Sequence, residues 1–203
     1  MYSSKTGLII GFHGCDESVR DKIIAGKTML NPSKNIYDWL GGGIYFWENN
    51  QQRAFQFVHE LKSSSRTTKI NKPSVIGAVI DMGFCLDLLD SDYIKIVRES
   101  YEILLASCKT LNLDMPINKV LNTSKDLLLR NLDCAVIDNV HLQRKINTLR
   151  AFDSIRGVFV EENPLYHKAG FHEKNHIQIC IRNPNCIKGF FLPREIDGRY
   201  SMP

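Results

Sequence analysis

Three short stretches hold the residues whose types and spacing could do chemistry. In "GFHG", His13 sits at the end of an apolar run and directly before Gly14. An imidazole there can donate a hydrogen bond to a ligand hydroxyl, and an unsubstituted α-carbon lets a flat ligand approach the main chain. In "GGGIYF", Gly41 to Gly43 remove side-chain bulk just before Tyr45, whose ring offers an aromatic wall. Room beside a wall suits a planar ring bearing an amide. In "NHIQICIR", Ile177, Ile179 and Ile181 alternate with His176, Gln178 and Cys180. The two sets therefore take opposite faces of a strand. A polar Gln178 between apolar neighbours needs a partner to offset its burial. Each stretch also has a plainer reading: His13 as a packing residue, the glycines as a turn, Tyr45 as core.

Together, the His-Gly pair, an interval of about thirty residues and the "GGGIYF" segment followed by a helix resemble the diphtheria-toxin-like and poly(ADP-ribose)-polymerase-like ADP-ribosyltransferases. The resemblance implies an α+β fold with split mixed and antiparallel sheets flanked by helices. It also implies NAD as co-substrate. His13 would hold a ribose hydroxyl, Gly14 would pair its backbone with the nicotinamide amide, Gly43 would leave room, and Tyr45 would stack on the nicotinamide ring. A second aromatic is expected on the following helix, where Phe55 and Phe57 bracket Gln56. The third catalytic position, a Glu in the family, falls to Gln178, with Glu173 and Glu161 as the nearest acids. Arg156 could bind a phosphate, or pair with Asp153 to order a turn.

Glutamine can hold a ribose but supplies neither charge nor a base. Single-unit transfer to a protein or nucleic acid, help from Glu173 or Glu161, and NAD binding without turnover all stay open. By analogy the biological role is an intracellular toxin or phage-defence effector, with a neutralising antitoxin as partner. The rivals are an inactive NAD-binding or ADP-ribose-binding module and an ordinary interaction domain.

The elements that must position these residues follow from periodicity. Leu8 to Phe12 reads as a buried strand ending at His13. Asp16 caps a helix to about Ala25, with Gly26 as its left-handed stop. "IYF" is a strand, and a helix runs from about Gln51 to Lys62. "SVIGAVIDM", "CAVIDNV", "GVFVE", "HIQICIR" and "CIKGFFLP" read as strands, a helix spans about Asp92 to Leu111, and residues 124 to 131 are expected to be helical. Strands outnumber helices without regular alternation, which points to one α+β domain.

Composition bounds the rest. With 203 residues, 43% of them hydrophobic, the chain can bury a substantial core. The six cysteines show no two-residue gap, so they read as core residues of a reducing compartment. His172 and His176 are four apart, which would suit a metal only on a helix, so no metal site is expected. Lys62, Arg66 and Lys69, with Lys5 and Lys72, form a solvated basic face that could also meet nucleic acid. No apolar run is long enough for a signal peptide or a membrane span, and a cytoplasmic protein is expected.

Overall fold

The computed structural model describes residues 7–63, 70–121, 125–195 and 198–201. Lys5, Arg66, Lys69 and most of the "SSSRTTK" stretch lie outside them.

The order is β1 (Ile9–Asp16), α1 (Glu17–Ile24), β2 (Ile44–Glu48), α2 (Gln51–Ser63), β3 (Pro73–Ile80), β4 (Cys85–Asp87), α3 (Ser91–Leu111), β5 (Asn118–Lys119), β6 (Leu129–Arg130), α4 (Asn131–Ile146), β7 (Ser154–Pro164), β8 (His172–Ile181) and β9 (Ile187–Phe191). Seven strands form one sheet in the order β4-β7-β8-β2-β1-β3-β9, and β5 pairs with β6 apart from it. Among the described strands, only β4 and β7 run parallel. The fold is α+β, with a mixed, largely antiparallel sheet between helices.

The local signals explain most boundaries. Asp16 caps α1 by accepting from the Ser18 amide, and Gly26 takes the left-handed conformation that ends it. Asp90 caps α3, and Asn112 stops it in the same left-handed region.

Two expectations fail. "CAVIDNV" is not a strand but the body of α4. Its β-branched residues suit either state, yet the buried set Cys134, Ile137 and Val140 recurs at helical spacing. The stretch before it, where residue 124 lies outside the described region, forms turns and the short β6 rather than a helix.

The two faces of the sheet carry separate cores. On one, Ile44, Phe46, Ile76, Ile80, Ile179 and Ile181 pack with Ile23 of α1. On the other, Cys180 and Ile155 pack beneath Tyr93 of α3 and Ile137 and Val140 of α4. Beside them, α2 lays Ala54 against Trp47 and Val75. All six cysteines are buried thiols, and burial pushes those of Cys15 and Cys180 up to about 11 and about 12, so both stay protonated.

Candidate functional site

β1 and β3 stay in register over eight residue pairs, from Ile9↔Ile80 to Asp16↔Pro73. The β1–β2 ladder has only Gly11↔Glu48 and Phe12↔Trp47, preceded by the Asn49 amide donating to the Ile10 carbonyl. Past Phe12 the two strands leave the ladder, and the sheet has a seam between its β4-β7-β8-β2 half and its β1-β3-β9 half.

His13 and Gly14 stand where that seam opens. β1 runs on to Asp16, so His13 lies within the strand rather than at its tip as expected. In an antiparallel strand alternate residues direct both backbone groups to the same neighbour. Since Ile10 bonds toward β2, so do Phe12 and Gly14. The Gly14 N–H and C=O therefore point across the seam, beyond the end of the ladder.

The Tyr45 carbonyl, which a longer ladder would give to Gly14, accepts instead from His13 Nδ1 at 2.7 Å. A carbonyl only accepts, so Nδ1 carries the proton. Burial holds the imidazole below its ordinary pKa, and the ring is neutral. The donor foreseen for a ligand hydroxyl is thus already used; Nε2 is left as an acceptor. The ring itself lies edge-on to Phe46, 5.8 Å between centroids.

Tyr45 is turned to the opposite face, as its alternation with Phe46 requires. Its hydroxyl donates to the Gly41 carbonyl at 2.6 Å and accepts from the Leu40 amide at 2.9 Å. Its half-buried ring packs against the second core. The phenol therefore closes the glycine turn on itself. Gly41 has φ +73°, and a β-carbon at Gly43 would overlap Cys180 Sγ and the Ile181 carbonyl of β8. A β-carbon at Gly14 would overlap the Ala54 carbonyl of α2. Gly14 and Gly43 are thus required by close packing on the Tyr45 face, and the slot expected between the His13 and Tyr45 side chains is not what the strands build.

Gln178 shares Tyr45's face of the sheet, opposite Trp47 and Gly157 in register. Its Nε2 lies 3.2 Å from His176 Nε2. His176 Nδ1 sits 3.1 Å from the Lys174 carbonyl and must donate to it. The His176 Nε2 is then an acceptor, the Gln178 amide nitrogen its donor, and the amide oxygen is left for other groups. Burial lowers the His176 pKa to about 4. The ring packs beside Trp39 and Phe159.

Of the two acids considered for the third position, Glu161 is the one that reaches this network. It forms a buried ion pair with Arg53 of α2 at 2.9 Å, and its Oε1 lies 3.5 Å from His176 Nδ1. Glu173 instead accepts from the Asn163 amide in an exposed bond at the outer end of β7 and β8. Arg53 Nε and Nη1 and Trp47 Nε1 are buried without a hydrogen-bond partner, although Arg53 Nη1 lies 3.7 Å from Glu60. Three donors in one interior region ask for an acceptor. Sequence reasoning missed His176 and Arg53 as parts of the site. The strand alternation placed His176 beside Gln178, but nothing local tied Arg53 to Glu161, 108 positions away.

Arg156 is committed elsewhere. Its guanidinium holds Glu48 at 2.5 and 3.1 Å and Asp87 at 3.4 Å, with 6% of the residue exposed. Two carboxylates saturate its charge, so it is not the free phosphate ligand that was considered. Asp153, the other expected partner, pairs with Arg150 and takes the Phe84 amide. Phe55 is exposed and packs edge-on to His59. It lines a cleft of about 420 Å³ with Arg20, Ser74 and Leu192, away from both Tyr45 and His13. A second cleft, of about 440 Å³, opens beside Gly42 and α4. Neither cleft is lined by His13, Tyr45 or Gln178.

Among curated proteins the chain is similar to an uncharacterized protein of Methanocaldococcus jannaschii, 29% identical over 196 residues, covering 87% of this chain and 83% of the relative. No family model matches the chain, and no solved structure matches it. No helix among the described residues is long and apolar enough to cross a membrane.

Proposed function

We propose that this chain is an NAD-dependent mono-ADP-ribosyltransferase acting on a protein or nucleic-acid acceptor. The observation that carries the reading is the seam. Gly14 directs a backbone N–H and C=O out of the ladder, beside a neutral imidazole whose Nε2 can accept. A carboxamide needs one donor and one acceptor, and a ribose hydroxyl needs an acceptor for its proton. His13 and Gly14 together offer that set. The motif resemblance supplies the ligand that carries both groups.

In the reaction the bond between the nicotinamide nitrogen and ribose C1′ breaks, nicotinamide leaves with the bonding electrons, and an acceptor nucleophile attacks C1′ and gives up its proton. The residues of this chain hold and orient: Gly14 the amide and His13 a ribose hydroxyl, while Gln178, the position the resemblance assigns to the third catalytic role, stands on the opposite face of the sheet from the His13 ring with its amide oxygen left over by His176. Gln178 brings no negative charge to the developing cation, which favours slow, single-unit transfer. An effector role as a toxin or in phage defence, restrained by an antitoxin, extends the same resemblance.

The second reading is an NAD-binding or ADP-ribose-binding module. It is favoured by the uncharged Gln178 and by a Tyr45 hydroxyl already engaged with the glycine turn. Mass spectrometry of cell protein and RNA after expression separates the two. A mass gain of one ADP-ribose with the wild type, absent with His13→Ala, is the result expected. Retained NAD without any modified product or released nicotinamide would favour the module.

A further inference from the structure

The cleft beside the glycine turn carries charge that the seam does not use. Lys34, His141, Lys145 and Arg182 line it, with Asp138 as its single acid. Asp138 is already taken by Arg182 at 2.8 Å. Lys34 and Lys145 are exposed, and neither makes an ion pair among the described residues.

The wall is also braced. Arg144 stacks on Phe152 at 4.4 Å and on Phe84 at 5.2 Å. His141 meets the same Phe152 ring edge-on. His141 Nε2 is buried and has no hydrogen-bond partner. Burial, joined by the Arg182 and Arg144 cations and opposed by Asp138, lowers its pKa to about 4, so the ring is neutral. A surface that holds cations together against their mutual repulsion is suited to an anion. The two exposed lysines come from different elements, Lys34 from the loop before the glycine turn and Lys145 from the last turn of α4, on a cleft of about 440 Å³, an arrangement suited to an extended chain of phosphate esters.

We propose that this cleft binds phosphate-ester oxyanions through Lys34, Lys145 and Arg182. The source favoured by its reach is the backbone of a single nucleic-acid strand. This inference does not rest on the NAD reading, because it concerns equilibrium binding at a cleft that neither His13 nor Gly14 lines.

The test is fluorescence anisotropy of the full chain with a labelled single-stranded RNA, from roughly 50 to 200 mM salt. The comparison is the wild type, Lys34→Glu with Lys145→Glu, and a charge-matched control, Lys109→Glu with Lys119→Glu. Loss of two phosphate contacts should flatten the slope of log K against log salt by about 1.4 and weaken binding at least ~10-fold, with the control unchanged. An excess of ADP is added in a second arm. If ADP does not compete, the strand is the ligand; if it does, the same oxyanion site takes a nucleotide diphosphate. Equal binding by wild type and Lys34→Glu/Lys145→Glu, or no binding of either ligand at the lowest salt, overturns the proposal. A His13→Ala variant should bind the RNA as the wild type does, which separates failure here from failure of the NAD reading.

Discussion

At the scale of single residues, the groups that define the motif are held by their own backbones. Tyr45 spends its hydroxyl on the glycine turn, so Tyr45→Phe should leave the Leu40 amide without its partner. A loss of about 1–2 kcal/mol in denaturant unfolding is expected, and no loss would mean that a water replaces the phenol. Gln178→Glu is the complementary change. A carboxylate beside His176 should raise that imidazole's pKa above about 4 and, on the transferase reading, increase nicotinamide release ~10-fold or more by steadying the developing cation. Faster turnover without a shift in the His176 titration would place Gln178 away from the network described here. The local motifs were legible in the sequence because "GFHG" and "GGGIYF" are contiguous. The faces on which their side chains stand were not. His13 and Tyr45 are 32 positions apart, and their relation depends on a register that only the folded β1–β2 pair sets.

At the scale of elements, two ionic arrangements tie the sheet to its surroundings. Asp16 caps α1 and also accepts from the amides of Asn71 and Lys72 at the entry to β3. The Ser18 hydroxyl, donating to it at 2.7 Å, together with these amides holds its carboxyl well below the usual carboxylate range. Its contribution is complete above the unfolded pKa near ~4 and is lost as pH falls toward the folded value. Asp16→Asn should remove that acid-side slope, read from unfolding curves between about pH 5 and 2. Arg156 joins β7 to β2 and β4 through Glu48 and Asp87, so Arg156→Ala removes the counter-charge of two largely buried carboxylates. A cost of about 3–5 kcal/mol is expected, and a change below 1 kcal/mol would show that solvent already screens the pair. The Asp16 cap made α1 readable, and helical spacing made α2 and α3 readable, within a residue or two. α4 was misread because its apolar residues suit both states over a strand-length window, and only the longer helical repeat decides.

At the scale of the whole molecule, the sheet is one hydrogen-bonded unit with a weak line through it. Three histidines on or near the sheet are kept neutral by burial: His13, His141 and His176. Their folded pKa values lie below the unfolded value, so the unfolded chain binds protons first as pH drops. The stability they support is complete above about pH 6.5 and declines as pH falls toward the folded values, at up to about 1.4 kcal/mol per pH unit for each. Unfolding midpoints should therefore drop between pH 7 and 5, and His176→Phe should shallow that drop. Layer architecture was legible from strand patterning and helix stops, whereas the seam was not. It arises from which backbone groups the β1–β2 ladder leaves unpaired, a property of pairing rather than of composition. The central claim is that these groups receive the carboxamide and ribose of NAD. Its most direct measurement is an NMR titration of the labelled chain with NAD up to millimolar concentration. Saturable shifts at the Gly14 amide and the His13 imidazole, lost in His13→Ala, are the result the account predicts; unchanged signals at both residues while NAD binds elsewhere, or no binding at all, would contradict it.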